Sequence, residues 1–416
     1  MPKSVINSAR ILSLDVVRGF AVLGILLVNI IGFGSVSAVM FNPALSFSAP
    51  SDVWAWAIVE LTAEGAMRAI FSMLFGAGVL LFLDRGAGRG RLHFKRTFWL
   101  LVFGFCNVYI LMWLGDILVT YALAGFVLYF FRNIRRKNLL VIALAMLTFL
   151  CVYAEMIYFG LEYTRQIAGQ ASTSLSQAQA ELTAQWAEFH SMFAPGEAEI
   201  SAELAQRRGS FFSVLSWTSA EYASILMEFI PMLLFWDALV FMTIGMVLYR
   251  YGLLQGNYSN QLYFFMAVIG LGFGFSINAY EIRQVLHSEF DILHTFSFFK
   301  FTYHLGRLAM AIGWIGLLIL LLRRFGVGRR LAAVGRMALT NYLMQSLICL
   351  FVFTGIGLGL VGTLSRSELY LIVLLVWVFQ LWLSPWWLAR YHYGPAEWFW
   401  RYLTYGRAPQ FALKSG

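Results

Sequence analysis

The stretch ILVTYALAGFVLYFFRNIRRKNLLVIALAMLTFLCVYAEMIYFG, residues 117–160, decides the fold. Two apolar runs, 117–131 and 139–160, flank one turn that carries Arg132, Arg135, Arg136 and Lys137. The runs are continuous rather than alternating, and such runs approach the length that crosses roughly 30 Å of hydrocarbon at 1.5 Å per helical residue. Only helices or closed barrels satisfy their backbone in lipid, so these are helices. Outward from this pair the pattern recurs at 20–33, 66–83 and 97–113, and again at 226–249, 261–281, 303–322, 338–362 and 369–389. The expected fold is all-α, a polytopic integral membrane helical bundle of about ten transmembrane helices.

The basic residues sort to alternate sides of these runs. With a cytoplasmic amino terminus, the inner segments hold Lys3, Arg10 and Arg18, then Arg85, Arg89, Arg91, Lys95 and Arg96, then the 132–137 turn. Arg250 follows, then Arg323, Arg324, Arg329, Arg330 and Arg336, and finally Arg390, Arg401, Arg407 and Lys414, in all 22 of the 30 lysines and arginines. Cationic loops are retained in the cytoplasm during insertion, so both termini are expected inside. The net charge of +9 is therefore read as topology. A nucleic-acid partner is excluded, because 60% hydrophobic and 12% charged residues leave no soluble domain to carry a basic surface. Ser35-Val36-Ser37-Ala38 resembles a signal-peptide cleavage site only loosely, and loss of the first span would break the parity of the charges, so retention is expected.

The chain divides into a five-span bundle (1–160), an extracytoplasmic helical loop (161–222), a second five-span bundle (223–389) and an amphipathic aromatic tail on the cytoplasmic side (390–416). In the loop, Leu182, Trp186, Phe189 and Phe193 mark one helix face. A second short helix carries Glu197 and Glu199 in its first turn and Arg207 and Arg208 in its last, with Gly209 placed for a left-handed C′ position. The loop is expected to cap the outer mouth of the bundle. Trp398, Phe399, Trp400, Tyr402 and Tyr405 read as an interfacial anchor.

Several patterns carry no chemistry. Residues 357–362 fit G-x-G-x-x-G but follow no strand. Gly355/Gly359 and Gly270/Gly274 read instead as small pairs that let helices approach. Asn257-Tyr258-Ser259 fits a glycosylation acceptor on the wrong side of the membrane. Cys106, Cys151 and Cys349 are scattered and apolar in setting, and no metal-ligand spacing is present.

Polar groups within hydrocarbon are expensive and thus functional candidates. Near the inner face are Asp15 and Arg18, three apart on one helix face, and Arg336, Asn341 and Gln345. Near the outer face are Glu64, Arg68, Asn107, Asp116, Asp237, His304 and Arg307, with Asn29 and Gln380 between. Each has a structural alternative: an intrahelical ion pair for Asp15–Arg18, interhelical glue for Asn341 and Gln345, an interface for His304, and a helix cap for Asp116. Asp237 sits among Phe235, Trp236, Ala238 and Leu239 and needs a partner, with Arg68, Arg307 and His304 in reach.

Five motifs in order resemble the YeiB family of bacterial inner-membrane proteins: LDVVRGFAVLGILLVNI (14–30), FSMLFGAG (71–78), GDILVTYAL (115–123), VGRMALTNYLMQSLIC (334–349) and YGPAEWFWRYLT (393–404). The opening motif also looks like that of transmembrane acyltransferases, including lysosomal heparan-glucosaminide N-acetyltransferase relatives. That resemblance implies a multi-pass protein of the bacterial cytoplasmic membrane. It implies acetyl-CoA or another acyl-CoA as co-substrate, with no covalently bound cofactor. Arg18 would then meet the donor's anionic part, assisted by Arg336, with Asp15, Asn341 and Gln345 beside them. Where YeiB-like chains often have histidine, this chain has Asn107, and residues 40–47 (MFNPALSF) lack the histidine of the lysosomal relatives. The acceptor's proton would go to His304, Asp116 or Asp237, in that order. Arg68, Asn107 and Arg307 would contact the acceptor.

The leading expectation is transfer of an acyl group to an outward-facing small molecule, lipid or glycan. The alternative is a transporter or exporter of a small amphiphilic metabolite, and a third reading is a lipid-binding component without turnover. Membrane lipids and the substrate are the expected partners, and a homodimer is the assembly allowed for.

Overall fold

The computed structural model describes residues 11–412 apart from 85, 87, 171–175 and 327; Lys3, Arg10, Arg85 and Lys414 of the charge sorting lie outside the described residues. The chain opens with α1 (Leu12–Gly34), α2 (Pro50–Thr62), α3 (Ala66–Leu83), α4 (Arg89–Tyr109), α5 (Leu118–Phe131) and α6 (Arg136–Ala168). Then come α7 (Gln177–Phe193), α8 (Glu197–Arg207) and α9 (Phe211–Ser224), which runs through a π-helical stretch, Ile225–Leu234, into α10 (Phe235–Arg250). The remainder is α11 (Asn260–His287), the single turn α12 (Ile292–Thr295), α13 (Phe301–Phe325), α14 (Arg329–Arg336), α15 (Ala338–Phe353), α16 (Arg366–Leu388) and α17 (Pro395–Tyr405).

The molecule is a helical membrane bundle. Among the described residues seven helices or fused helix pairs are long and apolar enough to cross a bilayer, and an eighth appears if α14 and α15, bent by 81°, count as one span. Ten were expected, and two of the differences have plain causes. Helix α5 has 14 residues, about 21 Å of rise, short of hydrocarbon thickness. Helix α4 begins with Arg89, Arg91, Lys95 and Arg96, so only its second half is apolar. The expected run at 338–362 also shortens. Helix α15 ends at Phe353, and 354–362 fold back as turns, with Leu358 N–H donating to Phe351 O (2.7 Å) and Gly362 N–H to Gly34 O (2.8 Å). Gly359 lies there at φ +66°, so Gly355/Gly359 is not a helix-packing pair, whereas Gly270 meets Gly313 across α11 and α13 as expected.

Helix α1 is central, packing against α3, α13, α14, α15 and α16. Its tightest contact needs two glycines. A Cβ on Gly19 would lie 1.9 Å from Leu331 O, and one on Gly335 would lie 1.9 Å from Asp15 O, so α1 and α14 meet backbone to backbone.

The cap helices form where the pattern placed them. Ser176 and Gln179 close a capping box on α7. Trp186, Phe189 and Phe193 pack against Ile292 and Leu293 of α12. Gly209 departs from expectation by keeping a negative φ, because the chain passes directly to Ser210, which caps α9. Arg207 is buried rather than free at a helix end. It donates to the carbonyls of Ser35 (2.6 Å), Phe33 (2.8 Å) and Gly32 (3.0 Å), occupying the C-terminal acceptors of α1. Arg208 reaches Val361 O at 2.5 and 3.0 Å. At the opposite end, Glu397 of α17 accepts from Leu339 N (2.7 Å), Thr340 N (3.1 Å) and Thr340 Oγ1 (2.6 Å), capping α15 from a distance in sequence.

Candidate functional site

Two polar regions lie at opposite ends of the bundle. The cap-end region starts from Asp237, just after the π-helical stretch, where Pro231 removes a backbone donor and the helix widens. Asp237 is buried and pairs with Arg307 and, at 3.6 Å, with Arg68 Nε. Arg307 is 1% exposed, and the rings of Phe241 (4.3 Å) and Tyr303 (4.8 Å) flank its guanidinium. Its Nη2 also donates to His304 Nδ1 at 2.7 Å. A guanidinium has no acceptor, so Nδ1 receives and the neutral ring carries its hydrogen on Nε2. That Nε2 has no hydrogen-bond partner. As placed, the His304 lone pair on Nδ1 is taken up by Arg307, so it is not free to receive a proton from an acceptor.

The network continues outward. Arg68 Nη2 donates to Tyr303 Oη (3.0 Å), which donates to Glu64 Oε1 (3.0 Å). Tyr121 Oη pairs with Ser72 Oγ at 2.6 Å beneath it. Glu64, Tyr303 and Arg307 border a chamber of about 90 Å³ together with Glu60, Glu281 and Arg366, closed on one side by apolar residues of α1. Glu60 accepts from Trp56 Nε1 (3.0 Å), and Glu281 from Thr302 Oγ1 (2.6 Å). Arg366 donates to Ser46 Oγ at 3.1 Å. Asn278 donates to the Glu60 and Leu61 carbonyls and holds the end of α2.

Asn107 and Asp116 form a separate cluster. Asn107 Nδ2 donates to Asp116 Oδ1 (2.8 Å), Tyr342 Oη to the same atom (3.4 Å), and Val119 N–H to Oδ2 (2.9 Å). Asp116 thus caps α5, the structural alternative. Burial pushes its carboxyl up to about 7, against the lowering effect of the Asn107 hydrogen bond. The structure does not bring it to the chamber lining.

At the basic end, Arg18 Nη1 pairs with Asp15 Oδ1 at 3.1 Å and keeps 26% of its side chain exposed. Arg18 and Arg336 each adjoin a glycine of the α1–α14 contact, so the motifs at 14–30 and 334–349 meet there. Asn341 and Gln345 do not face that surface. Asn341 Nδ2 donates to Val334 O and Ser384 Oγ, and Gln345 Nε2 to Val22 O and Gln380 Oε1. Both residues are buried, and their donors tie α1, α15 and α16 together, as in the interhelical alternative.

Glu60, Glu281 and Tyr303 were missed. Glu60 lies before the expected start of the 66–83 run, and Glu281 closes the 261–281 run, so both resembled flanking charges. The available signal was Glu60 and Glu64, four apart within an apolar setting, and the Ser48–Asp52 start of α2, where Asp52 accepts from Ser48 N and Ala49 N.

A family model described as a protein of unknown function, DUF418, matches residues 248–407. The uncharacterized protein YeiB of Escherichia coli (strain K12) is 32% identical over 404 residues, covering 95% of this chain and 96% of the relative. The uncharacterized protein YxaH of Bacillus subtilis (strain 168) is 27% identical, covering 96% and 95%. An uncharacterized 39.9 kDa protein of Bacillus acidopullulyticus is also 27% identical, covering 97% and 96%. No solved structure matches the chain. With near-complete coverage of both sequences at this identity, the chain belongs to the YeiB family.

Proposed function

We propose that this protein is a membrane-embedded acyltransferase that takes an acyl group from acetyl-CoA or another acyl-CoA at the basic end and gives it to a small-molecule, lipid or glycan acceptor in the cap-end chamber. The basic end then faces the cytoplasm of a bacterial cell, with both termini on that side. One observation carries the reading: carboxylates, a phenol and a guanidinium border one cavity and are linked through Arg68 to the Asp237–Arg307–His304 cluster. In the transfer an acceptor O–H or N–H is deprotonated, its oxygen or nitrogen bonds the acyl carbon, and the thioester C–S bond breaks. The proton ends on the departing thiolate as free CoA. Glu64 and Glu60 are the carboxylates placed to take it first. Asp237 and His304 act as positioning residues for Arg307, whose remaining N–H groups suit an anionic oxygen of the bound acceptor. Arg18, with Arg336, would hold the donor's phosphates.

Acetyl-CoA should raise the unfolding midpoint of the purified protein, and Arg18→Ala should abolish that shift. Glu64→Gln should keep the shift and lower CoA release by about 10²–10⁴-fold, the usual contribution of general acid–base catalysis. The reading fails if acetyl-CoA neither stabilises the protein nor yields free CoA with any acceptor pool.

The 81° break between α14 and α15 favours a second reading, transport of a small amphiphile, because discontinuous spans shape the sites of many carriers. Flux into proteoliposomes without a covalent product would select it.

A further inference from the structure

A second cavity lies against the chamber and shares a wall with it. It measures about 170 Å³ and is lined by Phe189, Phe193, Phe229, Met232, Phe296 and Phe299, between α6, α7 and the π-helical stretch. Its polar residue is Glu228, which is exposed. Phe41 lines both cavities, its ring stacked on Phe296 (5.2 Å) and Phe229 (6.4 Å). Thr295 faces the chamber and its chain neighbour Phe296 the apolar cavity. A polar cavity and an apolar one joined at a single aromatic wall fit a molecule that is itself divided in this way.

The chamber's charges specify the head. Glu60, Glu64 and Glu281 each hold one neutral donor, and among the described residues none has a Lys, Arg or His nitrogen within 4.0 Å. A carboxylate accepts at about four lone-pair sites, so each keeps capacity for an ammonium. Independently, Arg307 is 1% exposed and borders the chamber with Nε and Nη1 lacking hydrogen-bond partners. Buried donors of a charged group call for an anionic or carbonyl oxygen. Three carboxylates with spare acceptor sites, and a guanidinium that keeps two unpartnered nitrogens beyond its pairing with Asp237, border one cavity together with Arg366 and suit a zwitterion.

We propose that the two cavities form one site for a single-chain zwitterionic amphiphile, with an ammonium among Glu60, Glu64 and Glu281, its anionic group at Arg307, and its alkyl tail past Phe41 into the aromatic cavity. The inference rests on the reading of the chamber as the acceptor's place and names the chemical class of that acceptor. Once a chamber carboxylate takes one proton from the ammonium, the neutral amine supplies the nucleophilic nitrogen, and the proton it sheds on bonding the acyl carbon ends on the departing thiolate.

The test uses the purified full-length protein in a neutral alkyl glycoside detergent and measures affinity by intrinsic fluorescence. The probes are dodecyl phosphoethanolamine, dodecyl phosphate (no ammonium), phosphoethanolamine (no tail) and the octyl and decyl homologues of the first. Dodecyl phosphoethanolamine should bind tightest. Loss of the ammonium should weaken binding by roughly tenfold or more, as expected for a charge-assisted hydrogen bond. Each CH₂ removed should weaken it by up to about fourfold. The isosteric pair Glu60→Gln with Glu281→Gln should erase the preference over dodecyl phosphate. Phe229→Trp, which fills the apolar cavity, should erase the chain-length dependence and spare the head preference. Equal affinity for the two dodecyl probes, or no dependence on chain length in the unaltered protein, overturns the proposal. Acetyl-CoA stabilisation without amphiphile selectivity removes this ligand and keeps acyl transfer; selectivity without transfer keeps the site and removes the reaction.

Discussion

The two polar regions are built from the same kinds of residue and end in different states. At the basic end, the donors of Asn341 and Gln345 go to Val334 O, Val22 O, Ser384 and Gln380, and the helices close over them. At the cap end, Arg307 keeps two buried nitrogens without partners, and three carboxylates line open volume. A polar group in an apolar helix is therefore not a site by virtue of its cost alone. What separates glue from site is hydrogen-bonding capacity left over beside a cavity, and that depends on the neighbouring helices.

The largest effect expected from this contrast comes from Asp237→Ala. It strands the buried Arg307 charge and should cost about 3–5 kcal/mol in chemical unfolding. Combining it with Arg307→Met should recover most of the loss; a single variant with an unchanged midpoint would mean that water, not Asp237, balances the guanidinium.

Next is Arg207→Ala, which frees the Gly32, Phe33 and Ser35 carbonyls at the end of α1. A loss of about 2–3 kcal/mol is expected, in the range for hydrogen bonds to a charged group. Hydrogen exchange should rise at the last turn of α1 and in α8, and protection there equal to the unaltered protein would show that the cap is not what secures α1.

Gln345→Leu at the basic end should cost only about 0.6–1.7 kcal/mol, the range for interhelical hydrogen bonds in membranes, and leave ligand affinities unchanged. Altered affinity for acetyl-CoA in this variant would place Gln345 in a site after all and weaken the contrast.

The smallest effect is a pH dependence. Burial opposes ionisation of Asp291, but the His294 hydrogen bond and the Arg165 guanidinium at 2.9 Å outweigh it and hold the carboxyl below the usual carboxylate range. Its stabilising contribution is present above the unfolded value of about 3.9 and is lost as pH falls through the lower folded value. Protease sensitivity between α11 and α13 should therefore rise below about pH 4, and Asp291→Asn should show that sensitivity already at neutral pH.

Much of the fold was legible. The apolar runs of α1, α3, α6, α11, α13 and α16 announce themselves by length, and the loop helices α7 and α8 by amphipathic spacing and end charges. The shortfall in α5 and the turn at 354–362 were not, because apolar composition does not distinguish a helix from glycine-rich turns packed under a cap. In the site, the association of Asp237 with Arg68 and Arg307 was anticipated from the need of a buried carboxylate for a partner. Glu60 and Glu281 were not, since both look like ordinary charges at the end of a run until α2 and α11 are set side by side.

The sequence by itself determined that the chain lives in a bilayer as a helical bundle, because backbone satisfaction in lipid and the hydrophobic length of each run are local properties. It also marked the polar residues that had to find partners. Only the tertiary structure decided which of them are satisfied by one another and which border a cavity, because a leftover donor or acceptor is a property of several helices at once. The backbone contact at Gly19 and Gly335 is one such decision, and the chamber between α2, α11, α13 and α16 is the other.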